Sequence, residues 1–323
     1  MTDVEALRQQ RVGLVLGAGG PIGHAFHAGV LAALADAGWD ARDASIIVGT
    51  SIGAVTGSLL RAGVAPADLY ARATTGQMSP EGEARSGGEK AWQLMACEVE
   101  RGPVTIGPPA SIRLFTQLLR HPSHTRAGLL LAALTPSGAR PTAPIAHAIN
   151  ENLGHAWPAR PLWTCAVGLD DGERVVLRPD DGPVVDVGTA VAASIVVPAV
   201  FEPVVVDGRR LVDGGLHSPA NADVIADAVD QIDAVIVSIP MGVGSWPGRV
   251  GVDLPGRFLN HWTSERELRR VRDAGLPVLV FEPDASALEV MHYDSFDLTH
   301  REEIARRAYA AVAQRPVTVA SPA

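Results

Sequence analysis

The sequence predicts an α/β fold whose central sheet begins parallel, and three observations carry that reading. Val12–Leu16 and Ile46–Val48 are short apolar runs of strand length. Each is followed by a glycine-bearing loop, Gly17–Gly23 and Gly49–Gly53. Each loop then enters a stretch with helical spacing of apolar residues. Strand, loop and helix repeated in this way form a βαβα start, which places consecutive strands side by side and parallel.

The elements follow in order. Residues 1–10 are a polar lead-in. The spacing predicts a helix from His24 to Ala37, with Phe26, Val30, Leu31 and Leu34 apolar. A second helix is expected over 53–62 and a short one from Asp68 to Thr74. From about Gly76 the chain turns rich in Gly, Ser, Pro and Glu. There we expect helices at Lys90–Val99, 111–121 and 124–135, and read 76–155 as a helical cap or insertion over the sheet edge. Strands return at Leu162–Val167 and Arg174–Leu177, joined through Asp170-Asp171-Gly172-Glu173. Thr189–Val196 reads as a short helix stopped by Pro198. Val204–Val206 and Arg210–Val212 make a hairpin around Asp207-Gly208. Then come a buried strand Ala234–Ile239, helix 262–274, strand 278–281 and a final helix from about His300 to Ala313. No repeat and no linker interrupts the chain, so 1–323 reads as a single domain.

Composition bounds the partners. The chain has 323 residues, 47% of them hydrophobic, enough for a sizeable core. A formal net charge of −9 argues against nucleic acid as the main partner, but leaves local contact with a membrane surface open. The longest apolar run, Ala127–Leu134, is far shorter than the ~20 residues that span a bilayer. The polar, acidic start Met1–Ala6 has no apolar region after it, so no secretory leader and a cytoplasmic location are expected, with peripheral contact at the inner membrane face as an extension. Cys97 and Cys165 lack metal or redox spacing and read as free, buried thiols. No ligand cluster calls for a metal, and no cofactor is expected. Asp294, Asp297, Glu302 and Glu303 read as a charged helix start. Arg266, Arg269, Arg270 and Arg272 read as a solvated face with pairs such as Glu265–Arg269, the alternative being contact with anionic lipid head groups.

Three short elements carry chemistry. In Gly49-Thr50-Ser51-Ile52-Gly53 a strand ends, a serine follows and a helix begins, the context of a nucleophile on a strained turn. Side chains at 49 and 53 would collide with the neighbouring backbone, and the helix N-terminus favours a developing oxyanion. The alternative is a serine that merely caps the helix. Gly17-Ala18-Gly19-Gly20-Pro21-Ile22-Gly23 leaves backbone N–H groups to point at an anion, either a phosphate or an oxyanion. Its dinucleotide fingerprint is poor because Ile stands at 22. As an oxyanion hole its donors are Gly19 and Gly20, since Pro21 has no N–H. Asp213, in Val212-Asp213-Gly214-Gly215, is the partner that stands out as a base for Ser51, although Asp-Gly-Gly is also an ordinary turn.

Gly17–Gly23, Gly49–Gly53 and Asp213–Gly215, in this order, resemble the patatin-like phospholipase family. So do His27–Leu31, Ala192-Ala193-Ser194, Pro198–Pro203 and Asp207–Arg209. The resemblance covers about 11–75 and 160–240. It implies a three-layer α/β/α fold with a mainly parallel sheet and a Ser–Asp dyad. Ser51 is then the nucleophile, Asp213 the base, and Gly19 and Gly20 the oxyanion donors, with Gly17, Gly23, Gly49, Gly53, Gly214 and Gly215 supporting the motifs. The implied activity is that of a carboxylic ester hydrolase acting on a lipid or fatty-acyl ester. Where the family places a Lys or Arg before the loop's last glycine, this chain has Ile22, and His24 and His27 are the nearby residues able to replace the charge. Asp213 is expected to be buried, because a solvated carboxylate is a weak base for an alcohol. Two other classes remain: a catalytically weak binding or regulatory protein on the same fold, and a nucleotide-binding oxidoreductase built on Gly17–Gly23. The sequence leaves the oligomeric state open.

Overall fold

The computed structural model describes residues 2–3, 7–89, 93, 107–120, 127–180, 182–245, 251–291, 294–314 and 318–319. The strands are β1 (Thr2–Asp3), β2 (Val12–Leu16), β3 (Ile46–Thr50), β4 (Leu162–Gly168), β5 (Arg174–Leu177), β6 (Val204–Val206), β7 (Arg209–Asp213), β8 (Ala234–Ser238), β9 (Val278–Phe281) and β10 (Thr318–Val319). The helices used below are α1 (Gly20–Asp36), α2 (Ile52–Arg61), α3 (Pro66–Thr75), α4 (Pro80–Arg85), α5 (Ile112–Arg120), α6 (Ala127–Leu134), α7 (Ala143–Leu153), α8 (Val187–Ser194), α9 (Leu254–Asp273), α10 (Ala285–Val290) and α11 (Arg301–Ala313).

The main sheet runs β6-β7-β4-β3-β2-β8-β9, with β5 added on β4. The pairs β4–β3, β3–β2, β2–β8 and β8–β9 are parallel, so most of the sheet is parallel. Successive side chains of a strand point to opposite faces, and a parallel sheet covered on both sides is apolar at every position. In β2, Leu14 and Leu16 enter the larger core with Phe26, Leu31, Leu59, Leu69 and Ile304, supplied by α1, α2, α3 and α11. Val15 points the other way, to Val224, Ile225, Leu268 and Val271, supplied by the 222–231 segment and α9. The result is three layers, helix on sheet on helix, as expected.

The register around β4 brings two distant segments together. Thr164 and Cys165 pair with both β3 and β5, whereas Ala166 and Val167 pair with both β5 and β7. A strand residue has one neighbour on each edge, so β5 takes one edge and β3 and β7 share the other. β3 runs parallel to β4 and stops at Cys165, while β7 runs antiparallel and stops at Ala166. Their carboxyl ends therefore meet head-on, and the residues there are Thr50-Ser51 and Asp213.

Several boundaries differ from expectation for identifiable reasons. α1 starts four residues before His24 because Pro21 sits in its first turn, where a missing N–H costs nothing. α9 starts at Leu254 rather than 262 for the same reason, with Pro255 in its first turn. Within 76–155, α5 and α6 lie inside the expected helices, and α4, capped by Ser79, and α7 are additional. The expected helix at Lys90–Val99 falls almost wholly outside the described residues, and Cys97 and His292 fall outside them. No helix among the described residues is long and apolar enough to cross a membrane.

Candidate active site

Ser51 stands at the junction of β3 and α2 with φ 55° and ψ −125°, a backbone conformation that L-residues rarely adopt. The flanking glycines make the turn possible. A Cβ on Gly49 would lie 2.4 Å from Ala54 Cα, and one on Gly53 would lie 2.0 Å from the Leu16 carbonyl oxygen. The turn is held from below: the Ser51 N–H donates to Ser194 Oγ at 2.9 Å, and Ser194 Oγ–H donates to the Cys165 carbonyl at 2.6 Å. Ser194 is the last residue of α8, and the structure adds it to the site in a role that the sequence did not reveal.

Ser51 Oγ donates to Asp213 Oδ2 at 2.6 Å, and both residues are 7% exposed. The other oxygen, Oδ1, accepts the Gly215 N–H at 2.7 Å. Burial pushes the Asp213 carboxyl up to about 6, and the two hydrogen bonds restrain the rise. Gly214 lies over β4, where a Cβ would sit 2.2 Å from the Cys165 carbonyl oxygen. The chain beyond Asp213 is stapled down by Asn221, whose amide donates to the Gly214 and Ser218 carbonyls and to Thr50 Oγ1. Glu267 on α9 accepts the Ala222 N–H at 2.9 Å. Desolvation, with the Asp223 charge adding to it, raises Glu267 to about 7.

The glycine loop can be accounted for donor by donor. Gly17 N–H goes to the Ser238 carbonyl, Ala18 N–H to the Pro219 carbonyl, Ile22 N–H to the Ser295 carbonyl and Gly23 N–H to the Gly19 carbonyl. Pro21 has none. Gly19 and Gly20 are left with no acceptor among the described residues, at the N-terminus of the long helix α1. Gly20 has φ 58°, and a Cβ there would meet Ser295 at 2.9 Å. A Cβ on Gly19 would meet Gly23 Cα and the Pro240 ring, each at 2.9 Å.

His24 and His27 do not replace the missing basic side chain. Both are fully buried, and desolvation lowers them to about 3 and 4, so both rings are neutral. His24 Nδ1 meets Thr56 Oγ1 at 2.8 Å. His27 is built into the loop. Its Nε2 is 2.9 Å from the Gly17 carbonyl, which can only accept, so Nε2 carries the proton. Nδ1 then accepts the Ser238 hydroxyl at 2.8 Å. Ile22 is itself buried.

Other features settle as structure. Cys165 is buried within β4 and its thiol is pushed up to about 12 by desolvation, so it is not a nucleophile at neutral pH. The His217 N–H closes the 214–216 turn onto the Gly214 carbonyl. Near the C-terminus Asp297 caps a turn and Glu302 and Glu303 pair with Arg306 and Arg307. No group of three metal-ligating side chains occurs among the described residues. The expected Glu265–Arg269 ion pair is replaced: Glu265 pairs with Arg272 at 3.4 Å, and Arg269 Nε bonds the Glu265 backbone carbonyl.

Among solved structures, the chain is similar to VipD from Legionella pneumophila, at 13% identity and a TM-score of 0.43 over 94% of this chain and 66% of that one. It is also similar to the type III effector protein ExoU, at 15% identity and a TM-score of 0.39 over 93% of this chain and 52% of that one. The chain thus spans just under two thirds of the first protein and about half of the second. No curated protein matches it in sequence. The sequence model of the family described as Patatin-like phospholipase matches residues 14–226, which hold Ser51, Asp213 and the glycine loop. The chain belongs to the patatin-like phospholipase family.

Proposed function

We propose that this chain is a serine-dependent lipid acyl hydrolase of the carboxylic ester class, working through Ser51 and Asp213 without metal or cofactor. Family membership supports lipid hydrolysis in general terms, and one observation supports the specific site: the 2.6 Å hydrogen bond from Ser51 Oγ to a buried carboxylate, at the head-on meeting of two strands. Asp213 takes the hydroxyl proton as Oγ attacks the ester carbonyl. The Gly19 and Gly20 N–H groups then receive the oxyanion, aided by the positive end of α1. As the tetrahedral intermediate collapses, protonated Asp213 returns its proton to the departing alcohol. Water, deprotonated by the same carboxylate, then attacks the acyl-enzyme, and Asp213 returns that proton to Ser51 Oγ as the C–Oγ bond breaks and the acid leaves. With Ile22 and two neutral histidines beside the loop, oxyanion stabilisation rests on backbone dipoles alone.

The described helices of 76–155, α4 to α7, belong to the same single-domain reading. Gly128 of α6 packs so close that a Cβ would lie 2.7 Å from the Leu216 carbonyl, three residues beyond Asp213. We assign this segment the walls of the acyl site. Phospholipid, lysophospholipid, monoacylglycerol and simple fatty esters are the substrate candidates. The oxidoreductase alternative is disfavoured by the loop's own bonds, which commit four of its N–H groups to protein carbonyls and leave two for a ligand.

The test is labelling with a fluorophosphonate probe. Wild type labels rapidly, Ser51→Ala does not label, and Asp213→Asn labels far more slowly. A folded wild type that fails to label refutes the hydrolase reading and leaves the binding or regulatory one.

A further inference from the structure

Helix α9 buries one face and leaves a stripe outside the fold. Arg257, Ser264, Glu267, Leu268 and Val271 point inward. Residues 259, 262, 266 and 269 follow one another at three- and four-residue steps and share the outer face. Leu259 and Trp262 are 56% and 65% exposed, and Val252, just before the helix, is 85% exposed. Phe258, Leu259, Trp262, Thr263 and Arg266 line an open, mainly apolar groove of about 580 Å³. Leu259 and Trp262 share one groove, so they are exposed as neighbours rather than as single scattered residues.

The cations on the stripe are available. Arg266 enters no ion pair among the described residues, and Arg269 bonds a backbone carbonyl rather than a carboxylate. Arg270 and Arg272, off the stripe, are the ones that take Asp223 and Glu265. The outer face is therefore apolar along its first turns and cationic along the next, in a chain whose formal net charge is −9. An acidic protein as a whole is repelled by an anionic surface, so a local positive rim beside apolar anchors specifies where and how such a surface is met.

The first turn of α9, from which the stripe starts, lies beside the candidate active site. α9 leaves β8 at the carboxyl end of the parallel strands, the end at which Ser51 follows β3. Arg257 Nη1 donates to the Pro240 carbonyl at 2.9 Å. The Pro240 ring in turn packs against Gly19 and Gly23. One residue therefore separates the start of α9 from the oxyanion loop.

We propose that Val252, Leu259 and Trp262 insert into an anionic lipid surface, with Arg266 and Arg269 at the level of its phosphates, and so dock the active site onto the phase that holds its substrate. The proposal rests on the lipid-hydrolase reading and deepens it. Tryptophan suits the role because its ring enters the acyl boundary while its indole N–H stays at the polar interface.

The test is vesicle flotation of the full chain with phosphatidylcholine vesicles, with and without phosphatidylglycerol. Wild type binds the anionic vesicles, and binding falls with salt. Leu259→Ser/Trp262→Ser lowers that binding by roughly tenfold or more, Arg266→Gln/Arg269→Gln abolishes the preference for phosphatidylglycerol, and both leave turnover of a water-soluble short-chain ester within about twofold. Trp262→Phe, a mild change, removes part of the quenching of tryptophan fluorescence by brominated lipid. Vesicle binding that survives the Leu259→Ser/Trp262→Ser change overturns the proposal. So does an oligomer of wild type that the same variant dissolves, which assigns the patch to a second copy. Absence of soluble-ester turnover in wild type refutes the hydrolase reading and leaves the vesicle result to stand or fall separately.

Discussion

The Ser194 hydroxyl is the only side-chain group among the described residues that bonds the backbone of Ser51: it accepts the Ser51 N–H at 2.9 Å and donates its own O–H to the Cys165 carbonyl at 2.6 Å. A serine with φ 55° is held by its surroundings, not by its own preference. Ser194→Ala leaves a buried N–H and a buried carbonyl short of a partner, at a cost of about 1–3 kcal/mol each. We expect a clear loss of stability in urea unfolding and slower fluorophosphonate labelling at temperatures where the variant is folded. Labelling at the wild-type rate by a destabilised variant would separate Ser194 from the nucleophile.

His27 holds the Gly17 carbonyl through Nε2 at 2.9 Å. His27→Leu removes both of its ring hydrogen bonds and lets the loop relax, so the proposed oxyanion donors, Gly19 and Gly20, lose their aim. Loss of one oxyanion donor costs about 10²–10³ in turnover, and a misaimed pair is expected to cost at least tenfold in kcat with little change in KM. Steady-state kinetics on a soluble ester read the split. His27→Gln, which can keep an N–H toward Gly17, should recover part of the loss.

The pH dependence follows from Asp213. In its proposed role as base it works only when ionised, and burial places its carboxyl at about 6. kcat/KM should therefore be level above pH 7 and fall about tenfold per unit well below 6. Asp213→Asn should be slow throughout and lack this limb.

Stability should run the other way. Asp213 and Glu267 both hold their protons more tightly folded than unfolded, at about 6 and about 7. Their contribution is complete below the unfolded values near 4 and is lost as pH rises through the folded ones. Tm should thus decline between about pH 4 and 7.5, and Glu267→Gln should flatten that decline. Differential scanning calorimetry across the range decides it.

The glycines sort by what surrounds them. Gly53→Ala forces a methyl against the Leu16 carbonyl and should abolish folding or labelling. Gly256→Ala meets nothing within 4 Å and lies in a helix with no need for positive φ. It should raise stability by about 0.5–1 kcal/mol, as chemical denaturation would measure.

Much of the site was legible because it is local chemistry. Glycines at 49 and 53 announce a turn that excludes side chains, and the structure places backbone atoms within 2.4 Å of where those side chains would start. The strands near the motifs were legible because they are buried on both faces and read as apolar runs. What could not be read was cooperation at a distance. Ser194 looks like any small residue ending a helix, and His27 like any core histidine, until β4 and β8 bring Cys165 and Ser238 to them. Within 76–155 the short helices α4 and α7 lack a long apolar stripe to betray them. The first turns of α9 hide behind Pro255 and Gly256, residues that usually break helices and here begin one.

The head-on approach of β3 and β7 makes β4 the ruler for the whole arrangement. Ser51 and Asp213 are 162 positions apart along the chain, yet their separation in space is set by one peptide link, Cys165 to Ala166, in a strand that contributes neither side chain. One residue inserted there would drive the pair apart by about 3.3 Å, whereas 76–155, the stretch proposed to line the acyl site, carries neither group and lies beyond α2 and α3. A change in length within 76–155 therefore leaves the Ser51–Asp213 spacing to β4, which keeps the gauge.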